Sequence, residues 1–295
     1  MLLEAVAPFD FSQSVAFLAG LDPCRDDHVA AGDRLVTGGY VDDDAFVATV
    51  RAGEVPATLD VDVEWLDAEG PDIAVGDHLA AFLSLSDDLG PLYAAARDDP
   101  TFSPVVETLY GLHHVRFPTP FEAACWAALS RRTPTAVARE RKRALVETCG
   151  GYVERADGRV ALFPTPERVL RRADALRVAL DDDHAVRTLL AAAAAFADEP
   201  LSALDTLALR GRLEEVWGFG PWAAEFVTLR GFGRMEYTPA DEYRLRTAVT
   251  ARYGLDAPAS DDDLRRLSDR YGPLAGYWAH YLQVAAGENG DLLEH

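Results

Sequence analysis

The chain has 295 residues, 49% of them apolar, which is long enough for two packed units and too hydrophobic for wholesale disorder. No apolar run approaches the ~18 residues that span a bilayer, and Met1 is not followed by a basic stretch leading into a signal-type core, so a cytoplasmic location is expected. The three cysteines (Cys24, Cys125, Cys149) form no Cys-x-x-Cys pair, which argues against a zinc site or a disulfide framework, and 28 basic against 49 acidic residues give a net charge of −21.

In chain order, Ser12 to Gly20 reads as a helix, and Leu35 to Val41 and Ala45 to Val50 as short strands parted by turn residues. Leu59-Asp-Val-Asp-Val-Glu-Trp65 alternates strictly, with Leu59, Val61, Val63 and Trp65 on one face, the pattern of a half-buried strand. From about Asp77 onward apolar residues recur at helical spacing. A helix begins after Pro118-Thr-Pro120 with Phe121, Ala124, Cys125, Ala128 and Leu129 on one face. Turn signals at Gly150-Gly151 and Ala156-Asp-Gly158 interrupt the helices, and Phe163-Pro-Thr-Pro166 starts another. Arg187 to Ala197 is an alanine-rich helix, and Leu274, Trp278, Tyr281, Leu282 and Ala285 stripe the last one. The predicted class is α+β: a small antiparallel-sheet domain over residues 1–90, then a mainly helical core over 91–295.

The densest signal is Leu213-Glu-Glu-Val-Trp-Gly-Phe-Gly-Pro-Trp-Ala-Ala-Glu-Phe-Val-Thr-Leu-Arg-Gly-Phe232, followed by Thr238-Pro-Ala-Asp-Glu-Tyr243. Gly218 and Gly220 are expected to turn the chain with positive φ and to let a partner come close, while Pro221 suits the first turn of the next helix. Amide donors at that helix start form an anion site, and phosphate is the obvious occupant. Two carboxylates, Asp241 and Glu242, follow Gly220 by 21 and 22 residues.

This hairpin at 213–232 resembles the helix-hairpin-helix DNA glycosylases, and within them the bacterial 3-methyladenine DNA glycosylase II family. Ala7-Pro-Phe-Asp-Phe-Ser12, Gly111 to Glu122 and Phe163 to Pro166 extend the resemblance over nearly the whole chain. It implies a monofunctional N-glycosylase that excises damaged, alkylated purines from duplex DNA as a monomer. Cleavage builds positive charge on the sugar, so an ionised carboxylate beside the anomeric carbon is the main requirement. Ungapped spacing from Arg230-Gly-Phe232 to Tyr243 puts the family's catalytic aspartate on Glu242, with Asp241 as the alternative; either could instead cap the helix that starts at Tyr243.

Where bifunctional relatives carry a Schiff-base lysine this chain has Trp222, and Lys142 is its only lysine. The family's wedge pair is replaced by Arg131-Arg132. A stacking aromatic of the base pocket falls on Leu274 and a tyrosine on Phe226, with Trp222 and Trp126 as further candidate walls. The resemblance also implies a K⁺ or Na⁺ ion on the backbone of Glu214, Trp217 and Phe219; no other cofactor is expected, and three cysteines cannot hold a four-cysteine iron–sulfur cluster. The acidic, nearly lysine-free composition resembles proteins of halophilic, salt-accumulating archaea. At molar salt the Debye length is ~3 Å, so DNA contact would depend on local charge. Arg131, Arg132, Arg139, Arg141, Lys142 and Arg143 form the one marked basic patch. The histidines show no metal-ligand spacing. A second reading, a helix-hairpin-helix protein that binds DNA or senses damage without cutting, follows from the altered aspartate and aromatic.

Overall fold

The computed structural model describes residues 1–67, 70–240 and 242–287. β1 (Leu2–Glu4), β2 (Val29–Ala31), β3 (Arg34–Val41), β4 (Asp44–Ala52) and β5 (Thr58–Trp65) form one antiparallel sheet in the order β1-β5-β4-β3-β2. The alternation in β5 does what its period requires: Leu59 and Val61 are buried and Asp60, Asp62 and Glu64 are exposed. α1 (Phe11–Ala19) starts at Asp10, whose carboxylate accepts from the Ser12 and Gln13 amides, and it packs against β2 to β4.

The helical part opens with α2 (Asp72–Phe82), five residues before the position predicted, followed by α3 (Gly90–Ala96) and α4 (Ser103–Thr108). α5 (Pro120–Ser130) and α6 (Thr135–Cys149) come next, and the turn signals beyond them mark a β-hairpin, β6 (Gly151–Arg155) and β7 (Gly158–Leu162), instead of simple breaks. Two five-residue strands carry too little period-2 pattern to stand out in a sequence. The hairpin is fixed from outside: Val160 and Leu162 cluster with Val36, Ala45 and Val47 of the sheet. Gly38 makes room for this contact, since a Cβ there would lie 2.7 Å from Leu162 Cδ2.

After the hairpin come α7 (Pro166–Arg171), α8 (Ala173–Leu180), α9 (Asp183–Asp198), α10 (Thr206–Glu214) and α11 (Pro221–Phe226). A π-helical turn over Val227–Gly231 extends α11, and α12 (Tyr243–Tyr253), α13 (Asp261–Ser268) and α14 (Ala275–Ala285) complete the described chain. Leu83, Leu85 and Leu92 share one buried cluster with Phe46 and Leu59, so the core runs without interruption across residue 90. α14 is buried from Ala275 to Gln283 on every side, beyond the stripe expected of it. No helix among the described residues is long and apolar enough to cross a membrane.

Candidate active site and nucleic-acid interface

α10 and α11 form the predicted hairpin, and the two glycines in it differ. Gly218 has φ +89°, and a Cβ on it would come within 2.3 Å of Thr188 Oγ1 on α9, so both its dihedral and its closeness to α9 require glycine. Gly220 corrects the expectation of positive φ: at φ −136° and ψ −175° it is ordinary extended backbone. Nothing lies within 4 Å of where its Cβ would be. Its glycine leaves open space above the start of α11, where Pro221 occupies the first turn.

The Arg131-Arg132 turn ends α5 beside this hairpin, and Arg131 Nη1 donates to the Gly218 carbonyl at 3.3 Å. Arg132 is exposed with φ +51°. On the other flank the Arg187 guanidinium lies 4.0 Å from the ring centre of the partly exposed Trp217, with His184 4.9 Å from it. The hairpin is thus lined by arginines although the chain as a whole is strongly acidic.

The basic patch is smaller than the sequence suggests. Arg139 pairs with Asp26 at 3.3 Å and Arg141 with Asp182 at 2.6 Å, which leaves Arg131, Arg132 and Arg143 exposed with no ion pair to a described residue. Lys142 is not on the surface at all. Its ammonium is buried between α5, α6 and the segment before β2, donating to Glu122 at 2.6 Å, Asp27 at 2.7 Å and the Pro23 carbonyl at 2.8 Å. Burial alone would depress its pKa, but the Asp27 and Glu122 carboxylates outweigh that and hold it well above the ordinary lysine value. Cys24, Asp27 and Glu122 come close enough to hold a metal ion, and the lysine cation occupies that place. A cationic side chain on a helix that also carries three arginines reads as surface; only the acids folded over it reveal otherwise.

Glu242 stands at the N-cap position of α12, yet its side chain makes no cap hydrogen bond. Instead Oε2 accepts from the Nε2 amide of Gln283 on α14, a residue only 6% exposed. On the side of the π turn lies the buried Arg230. Burial brings this guanidinium down to about 10, and the charge of Glu242 is the largest force opposing the shift. Arg230 Nη1 donates to His114 Nε2 at 2.9 Å. Burial and then the Arg230 charge hold His114 well below its ordinary pKa, so it is neutral and can accept. His113 is likewise internal, with Nδ1 2.7 Å from the Ser84 carbonyl. Asp241 lies outside the described residues.

Of the predicted pocket residues, Trp222 and Phe226 stack on each other at 5.3 Å and 25°, and Phe226 meets Phe117 edge-on at 5.7 Å. Leu274, half-buried, precedes α14. Trp126 is a correction: at 0% exposure it is a core residue of α5 and presents no surface to a base, and Phe226, at 4%, is nearly as buried. A cleft of about 340 Å³ adjoins the irregular segment 236–240, flanked by Tyr237, Thr238, Ala240 and Ala275, and none of Trp222, Phe226 and Leu274 lines it. Gln283 and Arg230 escaped sequence reasoning because one lies on a mostly apolar helix and the other inside the hairpin motif, with nothing local to mark either as a partner of Glu242.

This arrangement of sheet, helices and hairpin is the helix-hairpin-helix DNA glycosylase fold. The 3-methyladenine DNA glycosylase of Archaeoglobus fulgidus superposes with a TM-score of 0.78 at 20% identity over 97% of this chain and 98% of that one. The 8-oxoguanine glycosylase/lyase of Clostridium acetobutylicum bound to double-stranded DNA gives 0.66 at 17% identity, over 92% of each chain. In sequence the chain is 25% identical over 211 residues to the DNA-3-methyladenine glycosylase of Bacillus subtilis, 70% of either protein. No protein-family model matches. The likenesses of sequence and fold together support the helix-hairpin-helix glycosylase superfamily and a DNA glycosylase in repair.

Proposed function

We propose that the protein is a monofunctional DNA N-glycosylase that removes alkylated purines from duplex DNA, with Glu242 as the carboxylate that stabilises the departing cationic sugar. The observation that carries the reading is the placement of Glu242: its carboxylate makes no cap hydrogen bond to its own helix and turns to Gln283 and the field of Arg230. A protein that only bound DNA would gain from a cap there, worth ~1 kcal/mol. The hairpin amides of Gly218 and Gly220 and the exposed Arg132 hold the phosphates, and Arg131 braces the turn. Trp222, half-buried and stacked on the buried Phe226, supplies the aromatic face, which favours an electron-poor, cationic alkylated base. The backbone carbonyls of Glu214, Trp217 and Phe219 suit a K⁺ or Na⁺ ion: the hairpin's own turn bond uses the Val216 carbonyl instead, which accepts from Phe219.

The protein acts in this reading as a monomer, in the cytoplasm of a salt-accumulating cell. The direct test is a panel of duplexes, each bearing one damaged base, assayed for abasic sites in molar KCl. Release of alkylated purines is the expected result; release of oxidised or deaminated bases alone would reassign the substrate, and none at all would leave the damage-binding alternative.

Strand cleavage through an imine is not expected. The sole lysine is buried against two carboxylates and Trp222 stands at the position of the relatives' lysine. Borohydride added during turnover should trap no covalent protein–DNA adduct, and an adduct that persists in Lys142→Ala would show another amine at work.

The two glycines should separate stability from binding. Gly218→Val forces a side chain into a left-handed dihedral and onto Thr188, and should cost about 1–3 kcal/mol in urea unfolding. Gly220→Val should fold like the parent but keep DNA away from the α11 amides. Losing one charge-assisted hydrogen bond of ~1.5–3 kcal/mol weakens duplex binding about tenfold or more. Unchanged anisotropy titrations for Gly220→Val would remove the hairpin from the interface.

A further inference from the structure

We infer that Gln283 is a positioning residue for Glu242: its buried amide holds the longer glutamate side chain so that one carboxylate oxygen stays aimed at the sugar. The inference rests on the catalytic reading of Glu242. Where the resemblance implies aspartate this chain has glutamate, with one more methylene and one more rotatable bond. An unheld glutamate at a helix start would spread over several rotamers, and fixing such a side chain is costly in entropy. Gln283 removes that freedom from outside the helix. It projects from α14, a helix buried along nearly its whole length, and is itself 6% exposed, so the amide has little freedom of its own. Its donor reaches Oε2 of Glu242.

The choice of residue matters chemically. A neutral amide orients a carboxylate without cancelling its charge, whereas a lysine or arginine in contact would neutralise the very anion that the cationic sugar needs. The nearby cation, Arg230, already gives its Nη1 to His114. Gln283 therefore supplies orientation and Arg230 supplies a background field.

The test separates orientation from folding without knowing the damaged base. Duplexes carrying a cationic pyrrolidine in place of one deoxyribose are compared with the same duplexes carrying an uncharged tetrahydrofuran site. The parent should prefer the pyrrolidine, and Glu242→Gln should erase that preference. Gln283→Met, similar in size but without the donor, should lower the preference about 10- to 100-fold, the range for losing one hydrogen bond to a charged group, while leaving tetrahydrofuran affinity unchanged. Gln283→Asn, which retains the amide one methylene short, should fall in the same direction and serves if the methionine variant does not fold. In Glu242→Asp, whose carboxylate no longer reaches α14, adding Gln283→Met should cost little more. A full pyrrolidine preference in both Gln283 variants, with Glu242→Gln still abolishing it, would overturn the positioning role alone. A preference that survives Glu242→Gln would overturn the catalytic reading and this inference with it.

Discussion

Glu242→Gln should bind duplex DNA as the parent does, melt at nearly the same temperature, and lose base excision by a factor of ~10² to 10³. That is the cost, ~2.7–4 kcal/mol of barrier, of removing one preorganised electrostatic group aimed at charge that develops in the transition state. The amide keeps the shape of the carboxyl, and the side chain makes no cap for α12, so the fold loses little. Single-turnover excision on the best duplex of the panel measures it. Asp241→Asn is the companion variant and should remain active. The reverse pattern would move the role to Asp241, and parent-like behaviour of both on every lesion would leave a protein that binds DNA without cutting it.

The largest loss of stability is expected at Lys142. Replacing it with methionine strands Glu122 and Asp27 in a dry site that now has no cation, and breaking a buried pair from one side typically costs 3–5 kcal/mol, about the whole stability of a marginal domain. The cluster ties the start of α5 and the middle of α6 to the segment before β2, so its loss should loosen the first turn of α5 as well. Urea unfolding of Lys142→Met should show a midpoint far below the parent's. Neutralising the partners too, with Glu122→Gln and Asp27→Asn, should recover most of the loss, because an uncharged polar site has no stranded ions. A midpoint for Lys142→Met within experimental error of the parent's would mean that the three charges contribute nothing net. In a chain whose other 27 basic residues are all arginine, the one lysine presents a compact ammonium whose three donors meet three oxygens, on Glu122, Asp27 and Pro23.

The sequence by itself determined the features that repeat locally. The alternation in β5, the apolar spacing of α5, the proline starts of α5, α7 and α11, and the hairpin between α10 and α11 all depend on neighbours within a few positions, which is why they can be read along the chain. The α+β class and the resemblance to the glycosylase superfamily followed from them. What only the tertiary structure decided are relations between residues far apart. Gln283 meets Glu242 across 41 positions, Lys142 meets Asp27 across 115, and Arg230 meets His114 across 116. The same holds for β6 and β7, which are strands because the sheet lies beneath them, and for the difference in surroundings between Gly218, where α9 leaves no room for a side chain, and Gly220, where space is open. Charge is the sharpest case. Composition gives −21 and a run of six cations, but burial and pairing decide which of those cations face solvent, and the one that looked most like a surface lysine is held inside by two acids.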